Sequence, residues 1–432
     1  MKRPLVIVLL SIALLLVMAG ISVVVYFSAR EGGFGFDSNL ASATAEETKT
    51  LKVDAKKPVT LNVDDDAGDI SVIGADVEAV EVKVIKTGNA PTRSRAEEDL
   101  DNIRYEIRQD GNAVTLLYKL DGMQTNHIDT VDFVVTVPAD TTVGIETNFG
   151  TVDVANVIGS VDIASDFGDV TVKDVAGALT LENSGGEIEI QNLDAKSQDV
   201  SVDADFGRIT LENVKGRDIS IRSNSGTLAL IEVRASGELF AKSDFGDTSF
   251  ENGSASSLTV ESSSGKVRIV NTNIRGALAV TCDFSDIELN QTLAGSYDLD
   301  SNSGGIVIDG AKKKIEAHTD FGNITVSNAQ EATLDLSSNS GTIRFEGSLG
   351  AGPHRIKSDF GEIALTLPAD SQLNVDLKTD FGNIDSDLPI TVVTTGSTGS
   401  DKSQITGTVN GGGAQLTVST NSGNITINAL EE

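Results

Sequence analysis

Repeated carboxylates are the residues in this sequence with the most evident capacity for chemistry. Asp-Phe-Gly triplets begin at positions 166, 205, 244, 320, 359 and 380, and Asp283-Phe284-Ser285 is a variant. A second Asp follows three of these, giving the pairs Asp166/Asp169, Asp244/Asp247 and Asp283/Asp286. Calcium prefers carboxylate and carbonyl oxygens, so calcium binding is one interpretation. The nonapeptide pattern of calcium-binding β-rolls is absent, and an Asp beside a glycine commonly forms a turn. We therefore predict no metal ligand.

Asp-Phe-Gly is also a protein-kinase motif, in which the Asp binds magnesium. Six copies occur here, without a Gly-rich phosphate loop, a strand lysine motif or a catalytic His-Arg-Asp, so coincidence explains the match. A polysaccharide-active enzyme is a further alternative, and it would need clustered acid–base groups. The carboxylates are instead spread evenly, Trp is absent, and His127, His318 and His354 lie in unrelated contexts. The sequence predicts no enzyme activity and no catalytic or cofactor-binding residue.

Cys282 is the single cysteine, so the chain has no disulfide framework. It stands just before the Asp of one repeat, a position that small hydroxyl side chains fill in other repeats: Ser165, Ser243, Thr319 and Ser358. This pattern favours a packed small side chain over a reactive thiol.

These triplets belong to a repeat. The 273 residues from Gly150 to Gly423, with the last gap of 41 counted as two repeats, make 14 intervals of 19.5 residues. Such a period is typical of solenoid proteins. The repeat glycines are Gly150, Gly168, Gly185, Gly207, Gly226, Gly246, Gly265, Gly304, Gly322, Gly341, Gly361, Gly382 and Gly423.

Each repeat alternates aliphatic and polar residues after its glycine, as in Val170 and Val172, which predicts a strand with one buried face. One unit is too small to fold alone, whereas stacked units share a core and protect strand edges. The sequence predicts an all-β fold, a parallel β-helix or β-solenoid, right-handed by the general preference of parallel crossovers.

Two arrangements of the repeats are compatible with this fold. Asp-Phe-Gly corners alternate with Asn-Ser-Gly corners, and the alternation breaks at Phe149 and Phe381. A rung of two repeats would stack Phe on Phe and also Asp on Asp, and the carboxylates would repel each other. A rung of one repeat stacks large on small residues and is the arrangement that we favour.

The N-terminal region is predicted to export the chain. Residues 4–29 carry no charge and follow Lys2 and Arg3, so residues 1–30 fit a single transmembrane helix, with a cleaved signal peptide as the alternative. The positive residues precede the span, which predicts a membrane-anchored protein with its C-terminal region outside the cell. Residues 31–48 are predicted to be a flexible linker.

Two folded regions are predicted after the linker. Residues 49–145 should form a β-rich N-terminal cap with a short helix at Arg95–Leu100 and a hairpin across Asp110-Gly111-Asn112. Residues 146–432 should form the solenoid, with an insertion near 388–412 that has the pattern of a hairpin. Insertions in solenoids often form the binding face, and an irregular C-terminal cap is the alternative.

The net charge of −31 excludes several partners. An acidic chain repels nucleic acid and anionic lipid headgroups, and the sequence shows no basic patch. Nucleic-acid binding is therefore not expected.

The order of these parts resembles a known family. A membrane anchor, an early Asp66-Ala67-Gly68-Asp69-Ile70 copy, a strand-rich insertion ending in Val135-Thr136-Val137-Pro138, and serial Phe-Gly-Asp/Asn units resemble the bacterial putative-adhesin β-strand repeat family, whose function is unknown. The resemblance implies an adhesive, structural or protein-interaction role at the cell envelope, through an envelope or surface protein or polysaccharide. An accessory role in envelope-stress sensing is the alternative that it implies.

Overall fold

The computed structural model describes residues 40–54, 56–120, 128–396 and 403–430. Parallel strands dominate it. The N-terminal elements are β1 (Ala41–Lys52), β2 (Val59–Asp65), β3 (Ile70–Ala75), β4 (Ala79–Ala90), α1 (Arg93–Asn102), β5 (Tyr105–Asp110), β6 (Ala113–Tyr118) and β7 (Thr130–Pro138).

The central strands follow one another with short corners. They are β8 (Thr141–Phe149), β9 (Val152–Ala155), β10 (Val161–Phe167), β11 (Val170–Val175), β12 (Leu179–Gly185), β13 (Ile188–Asp194), β14 (Val200–Phe206), β15 (Ile209–Gly216), β16 (Ile219–Ser225), β17 (Leu228–Ile231), β18 (Arg234–Ala235), β19 (Glu238–Phe245), β20 (Thr248–Glu251), β21 (Ser254–Ala255), β22 (Ser257–Ser264), β23 (Val267–Val270), β24 (Asn273–Phe284), β25 (Ile287–Asn290), β26 (Leu293–Ser301), β27 (Ile306–Asp309), β28 (Lys312–Thr319), β29 (Ile324–Ser338), β30 (Ile343–Leu349), β31 (His354–Phe360) and β32 (Ile363–Pro368).

The C-terminal strands are β33 (Leu373–Phe381), β34 (Ile384–Ser386), β35 (Ile390–Gly396), β36 (Ser403–Val409), β37 (Ala414–Ser422) and β38 (Ile425–Leu430).

One repeat forms one rung, as predicted. In β10, Val161 pairs in parallel with Val143 of the preceding repeat and with Leu179 of the following one. In β11, Val170 pairs in the same way with Val152 and Ile188. Each rung therefore contributes one strand to each of two long parallel sheets, and the β-solenoid prediction is confirmed.

Alternation explains which side chains fill the core. Val161, Ile163, Val170 and Val172 point inward and are buried, while the residues between them face outward. A buried aliphatic side chain contributes ~1.5–3 kcal/mol, and stacking aligns these side chains into continuous columns. A short third side connects the sheets, where Lys215 pairs with Arg234 and Arg234 with Ser254.

The N-terminal strands do not stack in sequence order. β2 lies between β8 and β6, and β3 lies between β9 and β7. The first rung of the chain is thus covered by strands that come later in sequence. β5 and β6 form the predicted antiparallel hairpin, in which Asp110 pairs with Ala113.

Among the described residues, 40–45, 87–103 and 128–129 belong to a smaller compact unit. Ala43, Ala90 and Ala96 form its buried cluster, against which Leu100 packs. The predicted short helix is present as α1 and is longer than expected. Thr92 caps it by accepting a hydrogen bond from the backbone N–H of Arg95.

The C-terminal end repeats the same exchange of order. β37 lies between β31 and β33, and β38 lies between β32 and β34, so the last rung in sequence is not the last rung in space. The segment before it forms the predicted hairpin of β35 and β36, and β36 pairs antiparallel with β33. The sequence pattern predicts two repeats in the gap of 41 residues between Gly382 and Gly423. This prediction is wrong, because the parallel strands β34 and β37 supply one rung and the residues between them form an antiparallel hairpin.

The predicted transmembrane segment at residues 1–30 and the first half of the predicted linker, residues 31–39, lie outside the described residues. Residues 41–48 of the predicted linker are instead part of strand β1 (Ala41–Lys52). Among the residues that are described, no helix combines the length and hydropathy needed to cross a bilayer.

Candidate functional site

The two long strands of a rung are joined at a corner, which has the sequence Phe-Gly in some rungs and Ser-Gly in the rungs between them. Before it, a small side chain such as Ser358 or Thr319 points inward, and its hydroxyl donates to a carbonyl of the neighbouring rung. The glycine of the corner lies against the backbone of the neighbouring rung. A Cβ on Gly226 would lie 1.7 Å from the carbonyl oxygen of Gly207. Small inward side chains and glycine thus hold the corners of adjacent rungs in contact.

The phenylalanines of these corners are exposed. Six of them, which we call the Phe row, have 62–71% of their surface accessible: Phe206, Phe245, Phe284, Phe321, Phe360 and Phe381. Single exposed apolar side chains are common on protein surfaces, whereas a series of them aligned along one face forms the kind of patch that marks a contact surface. The corner turns the Phe side chain away from the core, which the alternation of the sequence alone did not show.

A small residue separates successive members of the Phe row. Ser225 pairs with both Phe206 and Phe245, and Ser264 pairs with Phe245 and Phe284. Rungs lie ~4.8 Å apart, so the rings recur about every 10 Å along one line. The row is a regular series of apolar projections and gaps.

Phe149 and Phe167 extend this line toward the N-terminus and differ from the row. They occupy adjacent rungs and stack with ring centroids 5.7 Å apart. Their exposures fall to 38% and 45%, because each ring covers part of the other. The comparison shows that two neighbouring corner phenylalanines fit the fold.

A second alternation runs beside the Phe row. The residue before each Phe is Asp, and the equivalent residue in the intervening rungs is Asn or Ser. Asn224 donates to Asp205 at 2.5 Å and Asn302 donates to Asp283 at 2.9 Å. The amide separates carboxylates that would otherwise stack and repel, which is the physical reason for the alternating corners.

The second Asp of each proposed calcium pair has a structural partner. Asp247 accepts a hydrogen bond from the backbone N–H of Lys266, and Asp286 accepts one from that of Gly305, both at 2.8 Å. Asp169 does the same for Glu187. These carboxylates satisfy backbone donors of the next rung. Within the described part of the chain, no three His, Cys, Asp or Glu side chains form a group suited to a metal ion.

The other residues weighed for chemistry have structural roles or lie outside the described ranges. Cys282 is buried as predicted, and burial raises the pKa of its thiol to about 12.

The buried His354 donates to the Gly350 carbonyl and accepts from the Leu334 N–H, and burial lowers its pKa. His318 contacts Ser337 and Asp320. His127 is not among the described residues.

One glycine in the predicted repeat pattern is misplaced. Gly185 pairs with Phe167 and Phe206 and thus takes the Phe position of its rung. The corner glycine there is Gly186, whose φ is +138°. Asn183 then takes the small inward position, with its amide donating to Gly168 and accepting from the Gly185 N–H. Asn183-Ser184-Gly185 is therefore shifted by one residue relative to the other Asn-Ser-Gly corners. The shift arises because, among the described rungs, Asn takes the inward position of the hydroxyl residue only here.

Two features were not recognised in the sequence. Residues at the opposite corner adopt a left-handed backbone conformation, and their side-chain amides form a ladder. Asn213 donates a hydrogen bond to Asn192, and Asn192 donates one to Asp174.

On the third side, an open cavity of about 490 Å³ is lined by Lys196, Lys215, Arg234 and Arg275. This is a local positive cluster that the absence of a basic run in sequence did not predict.

One protein-family model matches most of the chain. The family model described as Toastrack DUF4097 matches residues 59–309, 218–347 and 252–428. The chain belongs to the Toastrack DUF4097 family. This confirms the resemblance to an adhesin-like repeat family of unknown function. No curated protein sequence matches the chain.

Two crystal structures align with this Toastrack chain at low similarity. One is a putative cell adhesion protein from Clostridium sporogenes, with 9% identity, a TM-score of 0.20, and coverage of 90% of this chain and 100% of the other. The second is a putative adhesin from Bacteroides fragilis, with 14% identity, a TM-score of 0.26, and coverage of 65% and 97%.

Proposed function

We propose that this protein is a non-catalytic recognition module of the bacterial cell envelope, and that the Phe row is its contact surface. The proposal rests on one observation, the six Phe side chains that are 62–71% exposed at equivalent corners of a regular scaffold. Aromatic side chains dominate the binding energy of many protein interfaces. The stacked rungs fix their spacing, so little conformational entropy is lost on binding.

The location is part of the same proposal. Lys2 and Arg3 before the uncharged residues 4–29 favour insertion in the membrane with residues 31–432 outside the cell. The net charge of −31 suits an exposed solenoid that must stay soluble. Phenylalanine rings on such a protein would remain accessible to other envelope or surface proteins.

The intervening rungs supply the test. Replacing Phe206, Phe245 and Phe284 with Ser gives these corners the residue that Ser225 and Ser264 already place there. The variant should keep the thermal midpoint of the parent. Affinity capture from envelope extracts should lose its specific partners. Phe240→Ser is the matched control, because Phe240 lies outside the row and packs against Arg222.

Either of two results would reject this function. Unchanged capture by the triple variant would show that the row is not the contact surface. Loss of capture by Phe240→Ser to the same extent would show that any loss of surface phenylalanine weakens association nonspecifically.

A further inference from the structure

The Phe row complements a copy of itself. In spatial order its corner positions alternate between small and aromatic residues over twelve successive rungs, namely Gly185, Phe206, Ser225, Phe245, Ser264, Phe284, Ser303, Phe321, Ser340, Phe360, Ser422 and Phe381. Each gap is one rung high, and so is each projection. A second identical row displaced by one rung would therefore place every ring opposite a gap.

We propose that the Phe row binds the Phe row of a second copy of this chain in an antiparallel dimer. The proposal rests on the proposed function and names its partner. A two-fold axis perpendicular to the row, midway between Phe284 and Ser303, generates the one-rung displacement. Closed two-fold symmetry is the commonest arrangement of soluble oligomers.

This register gives every ring of the row a small partner. Phe284 faces Ser303 of the second copy, Phe206 faces Ser422, and Phe381 at the end of the row faces Gly185. The remaining three rings face Ser225, Ser264 and Ser340 in the same way. A parallel dimer about an axis along the row would instead place each ring directly against its own copy, without any gap to fill.

The same displacement brings unlike polar groups together. Asp residues share rungs with the phenylalanines, and Asn or Ser residues share rungs with the gaps. In the proposed register Asp283 faces Asn302 of the second copy, and Asp205 faces Asn421. Within one chain Asn302 already donates to Asp283 at 2.9 Å, and its amide has a second N–H for the partner. Carboxylates of the two copies do not meet.

The area suits a stable dimer. About two thirds of each ring in the row is exposed. With ~200 Å² for a Phe side chain, six rings offer roughly 800 Å² per copy, the usual contribution of one partner to a specific interface.

A disulfide trap tests the register in the full-length protein in membranes of the producing cells. In a Cys282→Ser background, Phe206→Cys and Ser422→Cys lie nine rungs apart in one chain, ~43 Å, so they cannot join within it. They face each other between copies of the proposed dimer. Mild oxidation should give a species of twice the 45.1 kDa chain mass. The control Phe206→Cys with Ser340→Cys is two rungs out of register and should remain uncrosslinked.

A second variant distinguishes interleaved packing of the two Phe rows from nonspecific apolar association. Ser264→Phe with Ser303→Phe adds apolar surface but fills two gaps. The stacked Phe149 and Phe167 show that the fold accepts two rings on adjacent rungs, and a thermal midpoint equal to that of the parent would show that it accepts the longer series in this variant. Added to the trap variant, it should abolish the crosslink. A crosslink that is absent in the trap, or undiminished after the gaps are filled, would overturn the dimer. If the crosslink fails but the Phe→Ser triple variant loses its captured partner, the proposed recognition function is retained and only the proposal that the partner is a second copy is rejected.

Discussion

Phe360 pairs with Ser422 and not with Phe381, the next corner phenylalanine in the sequence. Ser422 pairs on its other side with Phe381, so the last rung of the chain restores the alternation of large and small corners. The hydroxyl of Thr420 donates to the Gly361 carbonyl, and that of Thr379 donates to the Gly423 carbonyl. The C-terminal rung is therefore an interior rung, held from both sides.

Removing this rung should lower the stability of the fold more than removing a frayed terminus would. Ending the chain at Gly413 deletes the buried Leu416, Val418, Ile425 and Ile427 and separates β31 from β33. At ~1.5–3 kcal/mol for each side chain, the thermal midpoint should fall by on the order of 10 °C. Ending the chain at Ala429 is the control and should change the midpoint little. An equal effect of both truncations would contradict the interior position.

Close approach of stacked corners should make their glycines irreplaceable. A Cβ on Gly226 would lie 1.7 Å from the Gly207 carbonyl oxygen, whereas Gly111, with φ of +58°, has nothing within 4 Å. Gly226→Ala should therefore destabilise by ~3 kcal/mol or more, and Gly111→Ala by only ~1–2 kcal/mol for its left-handed backbone. Urea unfolding of both variants would measure the difference. Equal losses would show that the close contact at Gly226 does not raise the cost of a side chain there, and would contradict the prediction.

The inward hydroxyls should contribute according to their partners. Ser358 donates to the Gly341 carbonyl at 3.0 Å, while the buried Ser165 hydroxyl has no hydrogen-bond partner. Ser358→Ala should cost ~1 kcal/mol or more, because it leaves that carbonyl with one bond fewer. Ser165→Ala should be neutral or stabilising. Chemical denaturation of the two variants provides the comparison, and a greater loss for Ser165→Ala would contradict it.

The buried Asp65 should make stability depend on pH. It takes the inward hydroxyl position of its rung, where it pairs with Thr147. Burial raises the pKa of its carboxyl to about 8 and outweighs the hydrogen bond from the Ala67 N–H, which lowers it; the charges of Asp132 and Asp66 add to the rise, and Lys119 opposes it. Below pH 3.8 the group is protonated in both states. Between pH 3.8 and about 8 the unfolded chain releases the proton that the folded chain retains. The folded state then binds more protons, so stability falls as pH rises.

Asp65→Asn removes this titration while keeping the side-chain shape. The variant should unfold at a higher temperature than the parent at pH 8, and the advantage should shrink toward pH 4. Asp132, whose pKa burial raises to about 6, leaves a weaker slope of the same sign. A variant that is destabilised equally at pH 4 and pH 8 would contradict the prediction, because it would show that the titration of Asp65 does not contribute to the pH dependence of stability.

The sequence predicted the rungs because their signal is local. Gly168 and the alternating Val170 and Val172 encode a corner and a strand within a few residues. The order of rungs at both ends was not predictable, because β2 and β37 pair with strands distant in the chain. The broken alternation at Phe381 was the one available sign, and Ser422 explains it.

The sequence pattern also did not predict that the side chains of the Phe row are exposed. Phe206 follows the inward Ala204 by two residues and so continues the buried face by alternation. It is exposed because the chain turns at Gly207, a geometric event that hydrophobic periodicity does not encode. The Asn-Ser-Gly corners indicated large and small residues in one column, and pairing of Ser225 with Phe206 and Phe245 confirmed it.

The C-terminal hairpin should act as a cap on the sheet. β36 pairs antiparallel with β33 and so covers the backbone donors and acceptors that β33 would otherwise expose. Exposed strand edges recruit other strands, so replacing residues 390–409 with a short Gly-Ser linker should cause concentration-dependent aggregation. Light scattering during a temperature ramp would detect it. The control deletes residues 396–402 at the tip, most of which lie outside the described residues, and should leave the midpoint nearly unchanged because surface loops of different length cost little. Loss of stability in the control alone would assign the capping role to the tip instead of β36.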